Sequence, residues 1–106
     1  MRIYIAGPMT GLKDHNYPAF HREAARLRRL GHDVVSPAEL NASLEHEGWD
    51  ACMARDLPAL RTCDAIQLLP GWENSRGAKR EIDESRTCGI RVFYPSESLM
   101  ELDIAA

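Results

Sequence analysis

The stretch RIYIAGP, residues 2–8, indicates the fold. Its first residue is followed by four apolar or aromatic residues without a break, and a Gly-Pro pair then ends the run. A continuous apolar run of this length is typical of a strand that is covered on both faces. We therefore predict a buried strand at residues 2–6 and a loop at residues 7–16.

Strands and helices alternate along the rest of the chain. Short apolar runs predict further strands at residues 32–36, 64–69 and 90–94. Apolar residues spaced three and four apart predict helices at residues 18–30, 49–62 and 75–88. Pro58 is expected to kink or divide the second helix, residues 37–48 are predicted to be irregular, and a weaker helix is expected at 96–102. The pattern predicts one α/β domain over residues 1–106, with a parallel sheet and right-handed crossovers.

Composition excludes several classes of protein. The chain has 106 residues with 13 basic and 16 acidic side chains, so its net charge of −3 disfavours stable binding to nucleic acid. No apolar run approaches the ~20 residues of a membrane span, and we find no secretory signal. The three cysteines are widely spaced, which favours a reducing, cytoplasmic location. The histidines lack metal-ligand spacing and no dinucleotide-binding fingerprint is present, so we expect no metal.

Glu81 stands apart from the other charged residues of the third predicted helix. Its neighbours one turn away are small, namely Gly77, Ala78 and Ser85, which places it on the face that should pack against the sheet. A carboxylate at such a position is unfavourable unless it is paired or lines a pocket. A carboxylate that stabilises the amino end of its helix remains the alternative.

Asp56 occupies a similar position on the second predicted helix, among apolar neighbours that include Met53 and Leu57. It could instead cap a helical segment that begins after Pro58. If the two helices converge at one edge of the sheet, Glu81 and Asp56 form a pair of carboxylates there. Cleavage of a glycosidic bond uses such a pair, one as nucleophile and the other as proton donor.

The start of the third predicted helix has residue types that suit a phosphate. Ser75, Arg76 and Gly77 would offer a hydroxyl, a guanidinium and free backbone N–H groups. An ordinary helix cap by Asn74 or Ser75 is the alternative interpretation of the same residues.

Three segments of the chain resemble the nucleoside 2-deoxyribosyltransferase superfamily, which includes nucleotide N-glycosidases. IYIAGP (3–8) is similar to the first strand of that family, and DLPALRTCDAI (56–66) is similar to the segment that begins with its catalytic aspartate. SRGAKREIDESRTCGIRV (75–92) resembles the segment with the nucleophilic glutamate. The sequences YIAGPMTG and LPGWE-S-GA most resemble a short branch found in phage and bacterial genomes.

The resemblance implies a flavodoxin-like, three-layer sandwich with a parallel sheet of four to five strands. It implies that Glu81 is the nucleophile, that Asp56 protonates the leaving base, and that Tyr4 orients Glu81 or the sugar. A serine six residues before the nucleophile is typical of the nucleotide hydrolases, so Ser75 favours a 5′-monophosphate substrate. The resemblance implies no cofactor. The residues expected to bind the substrate are Gly7, Thr10, Gly11, Ser75, Arg76 and Gly77.

The chain also departs from the family pattern. Asp83 and Ser85 stand where the family usually has glycine and alanine, and the sequence after Val92 offers no obvious equivalent of the C-terminal segment with which a neighbouring subunit completes the family's site. We expect a homo-oligomer, a dimer or larger, with Trp49 or the 37–48 loop near the partner. Alternatives to the enzyme are a non-catalytic nucleotide-binding module of the same fold and an oligomeric scaffold without a ligand.

Overall fold

The fold is seen in a computed structural model, which describes residues 1–42 and 48–95. The strands are β1 (Arg2–Ala6), β2 (Asp33–Val35), β3 (Ala65–Leu68) and β4 (Arg91–Phe93). The helices are α1 (Tyr17–Arg29), α2 (Pro37–Leu40), α3 (Trp49–Leu60) and α4 (Arg76–Thr87). Short 3-10 turns at Lys13–Asn16 and Trp72–Asn74 precede α1 and α4.

The four strands of the described residues form one parallel sheet in the order β2-β1-β3-β4. Successive side chains of β1 point to opposite faces, so Ile3 and Ile5 pack in one core while Tyr4 and Ala6 pack in the other. The first core lies under α1 and the second lies under α3 and α4. Helices therefore cover both faces, which confirms the predicted α/β fold with a three-layer arrangement.

Helix α2 corrects the prediction that residues 37–48 are irregular, because Pro37–Leu40 form one helical turn. Four residues are too few to show an apolar period, although Pro37 stands at a position that suits a helix start. Residues 43–47 of that segment lie outside the described residues, and so does the predicted helix at 96–102.

Helix α3 runs through Pro58 as one helix and is not divided there. Pro58 stands in the last turn, where proline removes one backbone hydrogen bond. The helix is held at that end by Leu60, which is completely buried in the core under α3 and α4. Packing of the last turn on the sheet thus outweighs the lost hydrogen bond.

Gly7 lies where the segments that follow β1 and β3 approach each other closely. A Cβ atom at Gly7 would lie 2.7 Å from the Cβ of Leu69. The backbone holds the two segments together, since the N–H of Leu69 donates to the carbonyl of Ala6 at 2.8 Å. The loop after β1 therefore leaves the sheet through a position that has no room for a side chain.

We predict that Gly7→Ala lowers the free energy of unfolding by ~1–3 kcal/mol, because the added methyl group overpacks a backbone contact. Urea denaturation monitored by circular dichroism measures the change. Gly77→Ala is the control, since Gly77 is helical, has no positive φ, and an added Cβ would meet its nearest neighbour at an ordinary 3.4 Å, so this variant should lose no stability. Unchanged stability of Gly7→Ala would contradict the close approach.

Candidate active site

Tyr4 is the centre of the candidate site. It lies on β1, which has a strand on either side, and its ring is completely buried on the face covered by α3 and α4. Its hydroxyl donates a hydrogen bond to Oε2 of Glu81, a residue 77 positions away in sequence. Burial raises the pKa of the Tyr4 hydroxyl well above its usual range, and the nearby Glu81 and Asp56 carboxylates raise it further.

Glu81 lies on the inner face of α4 with only 4% of its surface exposed. The small residues predicted to surround it allow this approach: Ala78 and Ser85 are buried beside it, and the Ser85 hydroxyl donates to the Glu81 carbonyl at 2.8 Å. Burial raises the pKa of Glu81 to about 8; the Tyr4 hydrogen bond opposes this rise and the Asp56 charge adds to it. Glu81 is therefore mostly protonated at neutral pH.

Asp56 lies on the inner face of α3 and is 3% exposed. It stands within α3, so the alternative that it caps a segment after Pro58 is wrong. Its Oδ1 accepts a hydrogen bond from Nδ2 of Asn41 at 2.9 Å. Burial raises the pKa of Asp56, while the Asn41 hydrogen bond, the charge of Arg55 and the neighbouring Tyr4 hydroxyl oppose the rise.

The structure thus brings three predicted residues together in one buried cluster. The two carboxyl groups lie near one phenol. A negative charge on either carboxyl raises the free energy needed to ionise the other carboxyl. Such a pair titrates as a unit, and its protons leave in two separate steps. Between those steps the pair holds one proton, so it has one acid and one base available for chemistry.

The predicted phosphate-binding residues stand at the start of α4. Ser75 caps the helix: its Oγ accepts from the N–H of Ala78 at 3.1 Å and donates to the carbonyl of Gly7 at 3.5 Å. The Arg76 guanidinium lies over the Trp49 ring, 3.7 Å from its centroid. The capping interpretation of Ser75 is therefore observed, and it also brings Gly7 next to the start of α4.

Gly77 faces Met53 and Trp49 of α3, because a Cβ atom there would lie 3.4 and 3.5 Å from their nearest atoms. Thr10 and Gly11 lie in an exposed turn of the loop after β1. The hydrogen bonds among the described residues do not connect Thr10 or Gly11 to α4. Gly7, Ser75, Arg76 and Gly77 thus form one group, and the Thr10–Gly11 turn lies outside it.

Asn41 is the residue of the site that the sequence prediction missed. It follows α2 and is 3% exposed, and its side-chain amide contacts both Asp56 and Arg55. Its position after the second strand was the available signal, since loops at that edge of a parallel sheet surround the site. Asparagine is so common in loops that its type alone did not distinguish it.

Within residues 1–42 and 48–95, no group of three or more His, Cys, Asp or Glu side chains could hold a metal ion. The same ranges contain no helix that is both long and apolar enough to cross a membrane.

Comparisons with known proteins support the fold. A family model described as a domain of unknown function (DUF4406) matches residues 1–94. No curated protein matches the chain. Among solved structures, a 2-deoxyribosyltransferase from the psychrotolerant bacterium Bacillus psychrosaccharolyticus is similar with a TM-score of 0.70 and 23% sequence identity, over 98% of this chain and 80% of that one. The two proteins share their fold, as the resemblance in sequence implied.

We predict that Glu81→Gln makes the protein more stable at pH 8 than the wild type. The pKa of Glu81 is higher in the folded state, so its stabilising contribution is complete below about pH 4.5 and is lost as the pH rises to about 8. The free energy of unfolding falls by at most about 1.4 kcal/mol per pH unit from this cause. Glutamine does not ionise, so it avoids this fall while it still accepts the Tyr4 hydrogen bond. Urea denaturation at pH 5, 6, 7 and 8 should show a difference that widens with pH. A constant difference would contradict the burial of an ionisable Glu81.

Proposed function

This chain belongs to the DUF4406 family, and we propose that it cleaves the N-glycosidic bond of a (deoxy)nucleoside 5′-monophosphate, by hydrolysis or by transfer to another base. The carrying observation is the cluster in which Glu81 and Asp56 are both buried beside the Tyr4 hydroxyl. The shared fold with a 2-deoxyribosyltransferase supports the same class of reaction.

The proposed reaction uses the two carboxyl groups in succession. A carboxylate oxygen of Glu81 forms a bond to C1′ of the sugar, and the electron pair of the C1′–N bond leaves with the base. The base takes a proton from Asp56 as it departs. Water then attacks C1′ and gives a proton to Asp56, which releases Glu81 and the free sugar. If a second base attacks instead of water, the base is exchanged.

The reactive form needs an ionised Glu81 and a protonated Asp56, whereas burial favours the proton on Glu81. Tyr4 donates to Glu81 and lies near Asp56. In the proposed exchange the Tyr4 hydroxyl turns toward Asp56 and gives it a hydrogen, while the Tyr4 oxygen takes the hydrogen of Glu81. The number of protons on the cluster stays the same. Tyr4 therefore interconverts the resting and reactive forms without a solvent molecule.

The phosphate of the substrate would bind at the start of α4, close to Gly7. The first backbone N–H groups of α4 and the Arg76 guanidinium suit an anion. Ser75 holds this end of the helix against the loop after β1, and its capped geometry preserves the direction of the neighbouring N–H groups.

A nucleotide-binding module without turnover is the second candidate, and the raised pKa of Glu81 favours it because a neutral carboxyl is a poor nucleophile. The departures from the family pattern at Asp83 and Ser85 are weaker support for this second candidate. Asp83 is exposed on the outer side of α4, and the Ser85 hydroxyl is satisfied by the backbone of its own helix.

Incubation with a panel of nucleosides and nucleoside monophosphates, followed by chromatography of the free base, tests the proposal. We expect base release by the wild type, a loss of ~10²–10⁴-fold in Asp56→Asn and no turnover in Glu81→Gln. The rate should fall above about pH 8, where the carboxyl pair loses its last proton, and it should also fall in acid, where both groups are protonated.

Glu84→Gln is the matched control, since it makes the same change on the outer side of α4, where Glu84 pairs with Arg61 and Arg80. It should keep the wild-type rate. Binding of nucleotides without any base release would support the binding module, and equal rates in Glu81→Gln and wild type would refute the nucleophile.

We predict that monophosphates bind at least about tenfold more tightly than the matching nucleosides, because one charge-assisted hydrogen bond contributes ~1.5–3 kcal/mol. Calorimetric titration of the inactive Glu81→Gln protein measures both affinities without turnover. Arg76→Gln should weaken monophosphate binding and leave nucleoside binding unchanged. Equal affinities for the two classes would remove the phosphate from the proposed substrate.

A further inference from the structure

Both polar atoms of the Asn41 side chain are hydrogen-bonded in a buried position beside the candidate site. Its Nδ2 donates to Oδ1 of Asp56 at 2.9 Å and to the carbonyl of Pro37 at 3.0 Å. Its Oδ1 accepts from Nε of Arg55 at 2.8 Å. Both donors and the acceptor of one amide are thus bound to three different groups.

These partners define the orientation of the amide. A rotation by 180° would place the amide oxygen against a carboxylate and a carbonyl oxygen, and it would place the NH2 group against an arginine donor. Only the observed orientation satisfies all three neighbours. Asn41 can therefore act on Asp56 only as a hydrogen-bond donor.

Arg55 supports this arrangement from the same helix as Asp56. The two residues are adjacent in α3, so their side chains diverge: Asp56 faces the sheet, while Arg55 reaches Asn41. Arg55 is half-buried, and it polarises the Asn41 amide in the direction that strengthens donation to Asp56. A positive charge thus acts on the buried carboxyl through an amide.

We propose that Asn41, held by Arg55, is a positioning residue that fixes Oδ1 of Asp56 and makes Asp56 the stronger acid of the Asp56–Glu81 pair. The Asn41 hydrogen bond stabilises the ionised form of Asp56 and leaves Oδ2 as the oxygen that carries a proton. The groups that act on Asp56 are Tyr4 from β1, Glu81 from α4, Asn41 after α2 and Arg55 from α3.

The consequence for catalysis rests on the proposed function. In the reactive form Asp56 carries its proton, and the Asn41 bond to Oδ1 leaves Oδ2 as the oxygen from which the departing base takes that proton, so the bond orients the acid for this step. Asn41 does not touch the reacting atoms in this scheme. It acts by setting the acidity and the orientation of the group that does.

A test without substrate compares unfolding of Glu81→Gln with unfolding of Glu81→Gln/Asn41→Leu at pH 4 and pH 8, so that Asp56 is the titrating carboxyl of the cluster. We expect Asn41→Leu to lower the folded-to-unfolded ratio at least ~10-fold more at pH 8 than at pH 4, because the lost hydrogen bond is to a more fully ionised group at the higher pH. Adding Asp56→Asn should abolish this pH dependence. An equal effect at both pH values would show that Asn41 only caps α2, and it would overturn the proposal.

A kinetic test uses otherwise wild-type protein and the base-release assay. Asn41→Leu should lower kcat with little change in KM, and it should move the acid limb of the pH profile upward by about one pH unit. Arg55→Gln should move the same limb in the same direction by less. An unmoved acid limb in both variants would overturn the proposal.

The two tests separate this inference from the proposed function. If no protein, wild type included, releases base, the proposed reaction fails while the unfolding comparison still decides the role of Asn41. If Asn41→Leu does not fold, Arg55→Gln replaces it in the Glu81→Gln background, since Arg55 is only half-buried. A pH-independent effect of that substitution on unfolding would then overturn the proposal.

Discussion

The cost of burying two carboxyl groups beside one phenol constrains the rest of this structure. Asp56 and Glu81 are each at least 96% buried, and each needs hydrogen bonds that water would otherwise supply. Tyr4 donates such a bond to Glu81, and Asn41 donates one to Asp56. The small residues on the inner face of α4 allow that helix to come close enough for the contact. The packing of α3 and α4 on the sheet and the geometry of the site therefore depend on the same few interactions.

The order and type of the main elements could be predicted because each depends on a local pattern. The run Arg2–Ala6 is long and uniform enough to indicate a buried strand, and the boundaries of α1 and α4 agree with their predictions to within one residue. The single turn Pro37–Leu40 has too few residues for a period. The continuity of α3 through Pro58 depends on the packing of Leu60, which is a property of the assembled core and not of the segment.

The sequence indicated Glu81 and Asp56 as unusual because charged residues stood on apolar or small-residue faces. Residue spacing did not reveal what these residues contact, and only the family resemblance implied that Tyr4 orients Glu81 or the sugar. The bond between Tyr4 and Glu81 joins a strand to a helix across most of the chain, and no spacing rule reaches that far. The sequence did not indicate Asn41 for the same reason, because its role depends on hydrogen bonds to Arg55 and Asp56, which lie on another element. For Ser75 the local cap was the available alternative, and the structure shows that cap.

The separation of 77 residues between Tyr4 and Glu81 also bears on how the molecule reaches its native state. Bringing together two residues so far apart in sequence costs chain entropy before their contact can form. Parallel pairing of strands that are distant in sequence also slows folding. The cluster cannot form in any fragment that lacks either β1 or α4. The carboxyl pair consequently acquires its raised pKa only when β1 and α4 have come together, and the chain takes up protons when it folds near pH 7.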